Sequence, residues 1–446
     1  MGIRRILAVW TAKLVKVACQ AAGKQGVTLA GQIALRIDPN ILRELSSQVR
    51  EKIFVTCGTN GKTTTNNLLC SAIEAEGKKV VCNQTGSNML NGVVSAFVLS
   101  ASLLGRLDAD YACIEIDEAS TVRIFPHFKP DYMVLTNLFR DQLDRYGEID
   151  ITMNLLKKAM GMAPKMKLVV NGDDPLSAFL AMDSGNEYVT FGIRDPYFKQ
   201  EESREIREGQ FCKQCGEKLD YAFYHYSQLG DYHCPKCGFE RPTLDFGAEN
   251  IKAGGKLSFD VDNIPISANY RGFYNIYNIL AAYAAGKSAG ISMSNYNQVL
   301  ADYNPQNGRM ESFQVGDTEI ILNLAKNPAG FNQNISAVME DNREKDVIVL
   351  INDNSQDGTD ISWLWDVDFD RFRDMNASSI TVSGIRCQDM RLRLKYVDIP
   401  STLEPDVEKA IRDRIRDGVG NLYVLVNYTA LYSTHNILKK IEGEQA

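Results

Sequence analysis

The sequence predicts an α/β protein built from two parallel sheets, with a small cysteine-rich insertion in the first. Between residues 51 and 195, short apolar runs alternate with helical stretches, which is typical of a parallel sheet covered by helices. Segment 200–242 interrupts this alternation with two Cys-x-x-Cys pairs, and from about residue 313 it begins again. We therefore predict an amphipathic helical segment over 1–50, a central α/β domain over 51–310 with the insertion at 205–242, and a Rossmann-like α/β domain over 313–446.

The first residues, MGIRRILAVWTAKLVKVACQAAG, mix apolar and basic side chains. Lys13 and Lys16 interrupt the apolar core that a signal peptide would keep. No apolar run in the chain reaches the roughly 18 residues that a membrane span needs. We predict an amphipathic helix, and two interpretations stay open. The helix packs on the protein itself, or it rests on a membrane surface with Trp10 and the basic residues at the interface.

Residues 53–65, IFVTCGTNGKTTT, predict a nucleotide phosphate site, because an apolar run stops at glycines and continues through lysine and threonine into a helix. Gly58 and Gly61 let the backbone N–H groups point inward, where the helix N-terminus favours an anion. We expect Lys62 to reach the β- and γ-phosphates of the nucleotide and Thr63 to ligate Mg²⁺. The alternative is a glycine-rich turn that binds nothing. The predicted nucleotide-binding residues of this loop are Gly58, Thr59, Asn60, Gly61, Lys62, Thr63 and Thr64.

Acidic residues follow a later apolar strand, in CIEIDEAS. The carboxyl end of such a strand is the ligand edge of an open α/β sheet. We assign Glu115 as a Mg²⁺ ligand opposite the loop threonine, where the ion would bridge phosphate oxygens. Asp117 and Glu118 are weaker candidates, and a solvated acidic turn is the alternative for both. At the following edge, TNLFRDQLDRYGE, Asn137 and Asp141 are candidates for the same cation or for a substrate.

Four of the ten cysteines form two Cys-x-x-Cys pairs separated by 18 residues, which is the signature of a zinc ribbon. The pairs supply four thiolates for tetrahedral Zn²⁺, and a glycine follows each pair where a tight turn is needed. Four sulfur ligands leave no position for water, so we expect the metal to be structural. Disulfides are the alternative. The predicted zinc ligands are Cys212, Cys215, Cys234 and Cys237.

Composition argues against several classes of function. The net charge is −7, whereas a nucleic-acid-binding domain would be strongly basic. The other six cysteines are scattered, which favours a reducing cytoplasm. The four histidines lie in no recognisable catalytic context, and no Ser/His/Asp or Cys/His arrangement is apparent. We expect an acidic cytoplasmic enzyme that uses no covalent protein nucleophile.

Five motifs, in their order along the chain, resemble those of the Mur ligase family. Members of this family are ATP-dependent enzymes that join amino acids to peptidoglycan precursors through an acyl phosphate. The resemblance covers about residues 50–440. GTNGKTT matches the phosphate loop of the family, Glu115 its Mg²⁺ glutamate, and TNLFRDQLDRYG its TN…DH…D..G segment. GFYNIYNILAA matches the adenine-side motif through Asn275 and Asn278, and Arg309 matches the linker arginine that contacts nucleotide.

One branch of this family, the synthetase subunit of lipid II isoglutaminyl synthase, is similar in further respects. It lacks the domain for the UDP group, carries a four-cysteine ribbon, and shares the KNPAGFN and DGTDISWLWD stretches. The resemblance implies that ATP phosphorylates the α-carboxylate of D-glutamate in the lipid-linked stem peptide. Ammonia from a separate glutaminase subunit, GatD, then gives D-isoglutamine. It also implies a heterodimer that uses ATP, Mg²⁺ and Zn²⁺ in the cytoplasm, at the inner face of the membrane if the first helix touches it.

Three residues depart from the family pattern. Gln142 stands where a metal-binding histidine is frequent, which weakens the case for a second Mg²⁺ site. Asn323 and Lys326 stand where aspartate and histidine are usual. These changes suggest a different acceptor from that of the UDP-linked ligases.

Three acids crowd one loop of the C-terminal domain, LINDNSQDGTDISWLWD. A glutaminase with a catalytic Cys and His still needs a carboxylate to orient the imidazole. The resemblance makes this loop a candidate to supply it across a subunit interface, or to grip ammonia and the acyl phosphate. We favour Asp353 and Asp357 for the partner or ammonia role and Asp360 for substrate or loop structure, with a helix-capping turn as the alternative. With Lys62 and Glu115, these three acids are the predicted catalytic residues.

Two other functions stay open. A single-chain ligase similar to folylpolyglutamate synthases would also lack the UDP domain, but the cysteine ribbon argues against it. A binding module switched by nucleotide would use the phosphate loop for regulation. The adenine-side and linker-arginine motifs argue for catalysis instead.

Overall fold

The structure, a computed structural model, describes residues 2–22, 26–84, 86–141, 148–197, 205, 207–254, 256–269, 271–304 and 308–445. Its helices are α1 (Ile3–Ala21), α2 (Val27–Ile37), α3 (Ile41–Ser46), α4 (Lys62–Ala75), α5 (Leu90–Ser100), α6 (Thr121–Ile124), α7 (Ile149–Met162), α8 (Pro175–Ser184), α9 (Tyr274–Ser288), α10 (Tyr296–Asp302), α11 (Pro328–Met339), α12 (Cys387–Tyr396), α13 (Val407–Arg416) and α14 (Tyr428–Gln445). Short 3₁₀ helices span Glu118–Ser120, Ser362–Asp366 and Phe369–Arg373.

The strands within the same ranges are β1 (Lys52–Cys57), β2 (Val80–Cys82), β3 (Tyr111–Glu115), β4 (Tyr132–Leu135), β5 (Lys167–Asn171), β6 (Tyr188–Ile193), β7 (Asp220–Tyr226), β8 (Leu229–His233), β9 (Phe246–Lys252), β10 (Leu257–Val261), β11 (Ile264–Ala268), β12 (Glu311–Val315), β13 (Thr318–Leu324), β14 (Lys345–Leu350), β15 (Ala377–Ser383), β16 (Thr402–Leu403) and β17 (Asn421–Val426). They form a nine-stranded sheet, a six-stranded sheet and the β7–β8 hairpin.

The first sheet has the order β11-β10-β9-β6-β5-β4-β1-β3-β2. Strands β9 to β2 in this order are parallel, and β10 and β11 add an antiparallel edge. The predicted α/β class is therefore confirmed, and the sheet resumes after the cysteine-rich insertion.

Strand β1 lies in the middle of this sheet, and its apolar sequence KIFVTC is buried except at its first residue. A strand covered by helices on both faces needs such a continuous apolar run. Thr56 pairs with Glu115 of β3, and Cys57 pairs with Leu135 of β4. The carboxyl ends of three neighbouring strands therefore meet at one edge of the sheet.

The second sheet has the order β12-β13-β17-β14-β15-β16, with β12 alone antiparallel among the strands described. Four of its strands coincide with the apolar runs in the sequence. The sequence did not predict β12, whose residues alternate between buried and exposed, and it placed the start of the domain inside this strand. It also missed β16, because two residues are too short to form a recognisable pattern.

The N-terminal segment is helical: the amphipathic helix predicted for the first residues is α1, and α2 and α3 follow it. Helix α1 packs on α2 and α5 and buries Ala8, Val9 and Ala12. Through this face the helix is part of the protein core. In the part of the chain that the structure describes, no helix has the length and apolar character needed to cross a bilayer.

Candidate functional site

The predicted phosphate loop connects β1 to α4 at the edge where β1, β3 and β4 end. Gly58 and Gly61 have φ angles of 120° and 84°, which side chains disfavour. A Cβ atom on Gly61 would lie 2.0 Å from the Asn278 Oδ1 atom, and one on Gly58 would lie 2.2 Å from the Thr136 hydroxyl. Close approach of neighbouring side chains therefore requires glycine at both positions.

Lys62, the first residue of α4, is buried and points back into the loop. Its ammonium donates to the Gly58 carbonyl at 2.5 Å and to Glu118 Oε1 at 2.9 Å. Burial alone would lower the pKa of Lys62, but the carboxylates of Glu118, Asp117 and Glu115 raise it. The loop therefore holds a permanent positive charge where the phosphates of ATP are expected.

Thr63 and Glu115 meet at the carboxyl edge of the sheet, as the sequence predicts. The Thr63 hydroxyl donates to Glu115 Oε2 at 2.5 Å, and the Asn88 amide donates to Glu115 Oε1 at 2.8 Å. The Asn83 side chain bonds both the N–H and the carbonyl of Glu115. An oriented carboxylate beside a hydroxyl suits a hard cation such as Mg²⁺.

Other predicted loop residues are occupied in shaping the loop. Asn137 accepts from the Asn60 N–H at 2.9 Å and donates to the Asn60 carbonyl at 3.2 Å. The Thr59 hydroxyl bonds the backbone of Phe139, donating at 3.0 Å and accepting at 2.9 Å. Thr64 is buried in the first turn of α4. Asn137 therefore supports the phosphate loop rather than facing a cation.

The adenine-side asparagines lie in the first turns of α9, which packs against α4. Asn278 donates to Asn275 Oδ1 at 3.0 Å, and Asn275 donates to the Arg271 carbonyl at 2.7 Å. Both side chains are buried. They join α9 to the phosphate loop, since Asn278 also contacts Gly61.

Side chains from both sheets meet above the phosphate loop. Arg309 donates to the Thr63 hydroxyl at 2.9 Å, so the linker arginine reaches the sheet edge where Thr63 and Glu115 meet. Asn327 donates to Asn60 Oδ1 at 3.1 Å, at the start of α11. The C-terminal part of the chain is thus closed over the nucleotide site.

The closed arrangement encloses a cleft beside the loop. The Lys326 ammonium donates to Asp141 Oδ2 at 2.6 Å, and Arg140 pairs with Asp366 at 3.3 Å. Asn323 lies apart from this cleft, because its side chain bonds the Met310 N–H and Asn334. The cleft is lined by Arg140, Asp141, Lys326, Asn327, Pro328, Asp360, Ser362 and Trp363.

The three acids of the C-terminal loop have different surroundings. Asp357 is buried and accepts from the Thr429 N–H at 2.8 Å, and burial raises the pKa of its carboxyl. Asp353 is partly exposed and pairs with Arg386 at 3.4 Å. Asp360 is exposed in the cleft. Its carboxylate accepts a hydrogen bond from the Ser362 N–H, and this bond lowers the pKa of Asp360. Asp357 therefore fixes the start of α14, while the other two carboxylates remain accessible.

The four predicted zinc ligands come together. Their sulfur atoms all lie within 4.8 Å of one another, with 3.5 Å between Cys212 and Cys237 and between Cys215 and Cys234. All four are free thiols, which removes the disulfide alternative. Burial opposes ionisation of Cys234, but backbone N–H donors lower its pKa to about 7. The donor set and its spacing suit a tetrahedral soft-metal site.

The β7–β8 hairpin of this insertion reaches the edge of the first sheet that carries the phosphate loop. Gln228, fully buried at its turn, donates to the Leu138 carbonyl at 2.6 Å and to Asp174 at 2.8 Å. Leu138 directly follows Asn137 in the segment that shapes the phosphate loop. The insertion therefore contacts the site through its hairpin and is not a peripheral appendage.

Comparison with known proteins agrees with this geometry. A model described as Mur ligase middle domain matches residues 55–286, and one described as MurT ligase C-terminal matches residues 324–431. The lipid II isoglutaminyl synthase (glutamine-hydrolyzing) subunit MurT of Staphylococcus aureus (strain COL) is 36% identical over 447 residues, covering 100% of both chains. The chain belongs to the MurT family of Mur ligases. The subunit of the same name from Streptococcus pneumoniae (strain ATCC BAA-255 / R6) is 33% identical over 93% of this chain and 92% of its own length.

Solved structures place the MurT-family chain in the Mur ligase fold. A pseudomurein peptide ligase type C from Methanothermus fervidus has a TM-score of 0.70 at 23% identity. The match covers 89% of this chain and 80% of that one. The predicted Mur ligase fold is therefore confirmed. The match to the Mur ligase middle domain and the similarity to MurT subunits confirm the family resemblance.

Sequence reasoning underrated or missed three residues of the MurT-family site. Glu118, a weaker Mg²⁺ candidate, is the partner of Lys62. Asn327 and Gln228 were not singled out, because an asparagine before a proline or a glutamine in a turn carries no signal of its own in one sequence. Gln142 lies outside the described residues.

Proposed function

We propose that this chain is the synthetase subunit of a lipid II isoglutaminyl synthase. It amidates the α-carboxylate of D-glutamate in the lipid-linked stem peptide to D-isoglutamine, with ATP as the energy source and ammonia as the nitrogen donor. The full-length similarity to MurT subunits carries this proposal. The geometry of the phosphate loop and the cleft beside it supports it.

In this proposal ATP lies along the phosphate loop. The backbone N–H groups of Gly61, Lys62 and Thr63 and the ammonium of Lys62 hold the β- and γ-phosphates. Glu118 gives up its contacts to Lys62 and to the Gly58 N–H, which then also faces phosphate. Thr63 and Glu115 hold Mg²⁺, which neutralises phosphate charge when bound. Arg309, already at the Thr63 hydroxyl, contributes a second fixed cation from the other sheet. Asn275 and Asn278 support the adenine side.

The acceptor carboxylate enters the cleft lined by Lys326 and Arg140. A carboxylate oxygen attacks the γ-phosphorus of ATP, the bond to the β-phosphate oxygen breaks, and ADP leaves with that bond's electrons. Ammonia then attacks the carbonyl carbon of the acyl phosphate and the bond from that carbon to the phosphate oxygen breaks. Inorganic phosphate leaves with the electrons of that bond and takes up the proton that the nitrogen loses. The protein supplies position and positive charge rather than a nucleophile.

A separate glutaminase subunit, GatD, supplies the ammonia. A glutaminase needs an activated cysteine, and the sequence offers no Cys/His arrangement that would provide one. Asp353, which is partly exposed in the acidic loop of the C-terminal domain, is our choice for the carboxylate that orients the histidine of the glutaminase. Asp360, inside the cleft, is our choice for contact with substrate or ammonia.

The four-cysteine cluster holds a structural Zn²⁺ in this proposal, since the four thiols fill a tetrahedral shell. The reaction takes place in the cytoplasm, at the inner face of the membrane, where a lipid-linked precursor presents its peptide. The heterodimer of synthetase and glutaminase is the working enzyme.

The experiment is an amidation assay with lipid II, ATP and glutamine, read by mass spectrometry. The tagged chain co-expressed with its glutaminase should convert D-glutamate to D-isoglutamine, and ammonium should replace both glutamine and the partner. Activity of the chain alone with an amino acid and folate would instead support a folylpolyglutamate-synthase-like ligase. ATP hydrolysis that no carboxylate acceptor stimulates would support a nucleotide-switched binding module.

A further inference from the structure

Helix α1 has a second apolar face that the described part of the chain leaves uncovered. Ile3, Leu7, Trp10, Leu14 and Val17 recur every three or four residues, and at 100° per residue they lie within a sector of about 80°. Their exposed fractions run from 49% for Trp10 to 75% for Ile3. The buried residues of the same helix lie on the opposite side. We call these five side chains the outer stripe.

The outer stripe continues onto the turn after α5. Leu103 and Leu104 are each 60% exposed. The Trp10 indole N–H donates to the Leu103 carbonyl at 2.7 Å, and Lys13 donates to the Leu99 carbonyl at 2.8 Å. These bonds hold the turn against the helix, so seven large apolar side chains form one surface. Contiguous exposed apolar surface of this kind marks an interaction site.

Charge around the outer stripe has the opposite sign to that of the whole protein. Residues 1–37 contain six basic residues and no acidic one, whereas the complete chain has a net charge of −7. Exposed Arg4 and half-buried Lys13 flank the stripe on its two sides, and exposed Arg106 follows the Leu103–Leu104 pair. The apolar surface is thus framed by cations in an otherwise acidic chain.

We propose that the outer stripe and Leu103–Leu104 dock the protein on an anionic lipid bilayer. A helix lying in the interface combines an apolar face with flanking basic residues, and tryptophan is enriched at that depth. Anionic headgroups complement the basic frame, because they attract basic residues near the membrane surface. One face of α1 packs on α2 and α5 while the other enters the membrane.

The orientation of α1 suits a substrate anchored in the same bilayer. Residue 13 lies beside residue 99 and residue 10 beside residue 103, so α1 runs antiparallel to α5. Its C-terminal end therefore points toward the start of α5, close to Asn88, which bonds Glu115. The biological purpose of the docking surface rests on the proposed function, but its affinity for lipid does not.

The test is co-sedimentation of the full chain with vesicles of phosphatidylglycerol and phosphatidylcholine, without ATP. The wild-type chain should bind, and binding should weaken in high salt and on pure phosphatidylcholine vesicles. The L7E/L14E variant should lose at least about tenfold in vesicle affinity, because two apolar contacts become anionic. Both side chains are exposed, so thermal unfolding should stay unchanged.

The matched control is I385E/L392E, which makes the same charge change at two exposed apolar residues of the other domain. It should bind vesicles like wild type. Equal binding by wild type and L7E/L14E, or no binding to anionic vesicles, would overturn the proposal. So would a wild-type dimer in light scattering that L7E/L14E abolishes, because the stripe would then be covered by a second copy.

Activity separates this inference from the proposed function. With the glutaminase present, L7E/L14E should amidate a water-soluble stem peptide like wild type but slow down on lipid II in vesicles. If the wild-type chain binds vesicles but amidates neither substrate, the proposed function is wrong. The membrane-docking proposal would still hold in that case.

Discussion

The ion pair between Lys62 and Glu118 is the most informative detail at the scale of single residues. Both side chains are almost completely buried, and Glu118 also accepts from the Gly58 N–H at 2.8 Å. One carboxylate thus occupies two groups that a phosphate would use. Glu118 therefore holds the phosphate loop in shape, and in the proposed function nucleotide displaces it.

Removing Lys62 should therefore damage stability as well as chemistry. K62M leaves Glu118 buried without its cation, which costs about 3 kcal/mol or more in the free energy of unfolding. K62M/E118Q removes both charges and should recover most of that stability, measured by urea unfolding. Neither variant should amidate, because the phosphate-clamping charge is missing, and we expect at least about a hundredfold loss. Wild-type turnover in the double variant would contradict the assignment of Lys62.

Variants of the three acids in the C-terminal loop should differ in amidation activity when glutamine and ammonium are compared as nitrogen sources. D353N should lose amidation driven by glutamine and keep amidation driven by ammonium. The reason is that the Asp353 carboxylate acts only on the histidine of the glutaminase. D357N loosens the bonds to Thr429 and should lower stability by about 1–3 kcal/mol, with both nitrogen sources affected equally. D360N should impair both reactions without loss of stability. Equal activity of all three variants with both sources would rule out these roles.

At the scale of elements, the cysteine ribbon connects the four-cysteine cluster to the segment beside the phosphate loop. Gln228 at the hairpin turn satisfies the Leu138 carbonyl and Asp174, both buried. Asp174 in turn accepts from the Leu138 N–H at 2.8 Å. The hairpin therefore fixes the segment that carries Asn137 and Asp141.

The ribbon should bind one Zn²⁺ per chain by elemental analysis, and C212S should lose it together with local stability. Because the hairpin supports the segment that carries Asn137 and Asp141, C212S and Q228A should both raise KM for the stem peptide and, to a smaller extent, the Kd for ATP. H233A is the control, since His233 is exposed on the same hairpin. A zinc-free wild-type chain, or full stability in C212S, would sink the assignment.

Element by element, the sequence predicts most of what periodicity and motif spacing encode. The apolar strands, the phosphate loop and the cysteine pairs are local patterns, and the structure has them where expected. The Lys62–Glu118 contact is different, because it joins residues 56 positions apart through the register of β1 and β3. Asn327 meets Asn60 across 267 positions, and no pattern in one sequence reports such a contact.

At the scale of the whole molecule, the two sheets close on each other over the phosphate loop. Arg309 contacts Thr63, Asn327 contacts Asn60, and Lys326 pairs with Asp141. The first two contacts join the C-terminal part directly to the nucleotide loop. Closure therefore brings Arg309 and Lys326 to the phosphate loop and the cleft beside it, where the proposed reaction would use their charges.

Lys326 should matter for the acceptor more than for ATP. K326A removes the cation that pairs with Asp141 at 2.6 Å and lines the cleft. We expect at least about a tenfold loss of kcat/KM for lipid II with a nearly unchanged Kd for ATP. K440A is the control, because Lys440 is an exposed partner of Glu408 on the far side of the second sheet. Equal losses in both variants would point to a general charge effect instead.

The most direct test of the central claim follows the oxygen atoms of the acceptor. Stem peptide labelled with ¹⁸O in the D-glutamate α-carboxylate is amidated by the chain with ATP and ammonium, and the released phosphate is analysed by mass spectrometry. If ATP activates the carboxylate as an acyl phosphate, each phosphate carries one ¹⁸O atom and the amide keeps the other. Formation of the amide with unlabelled phosphate would contradict the account.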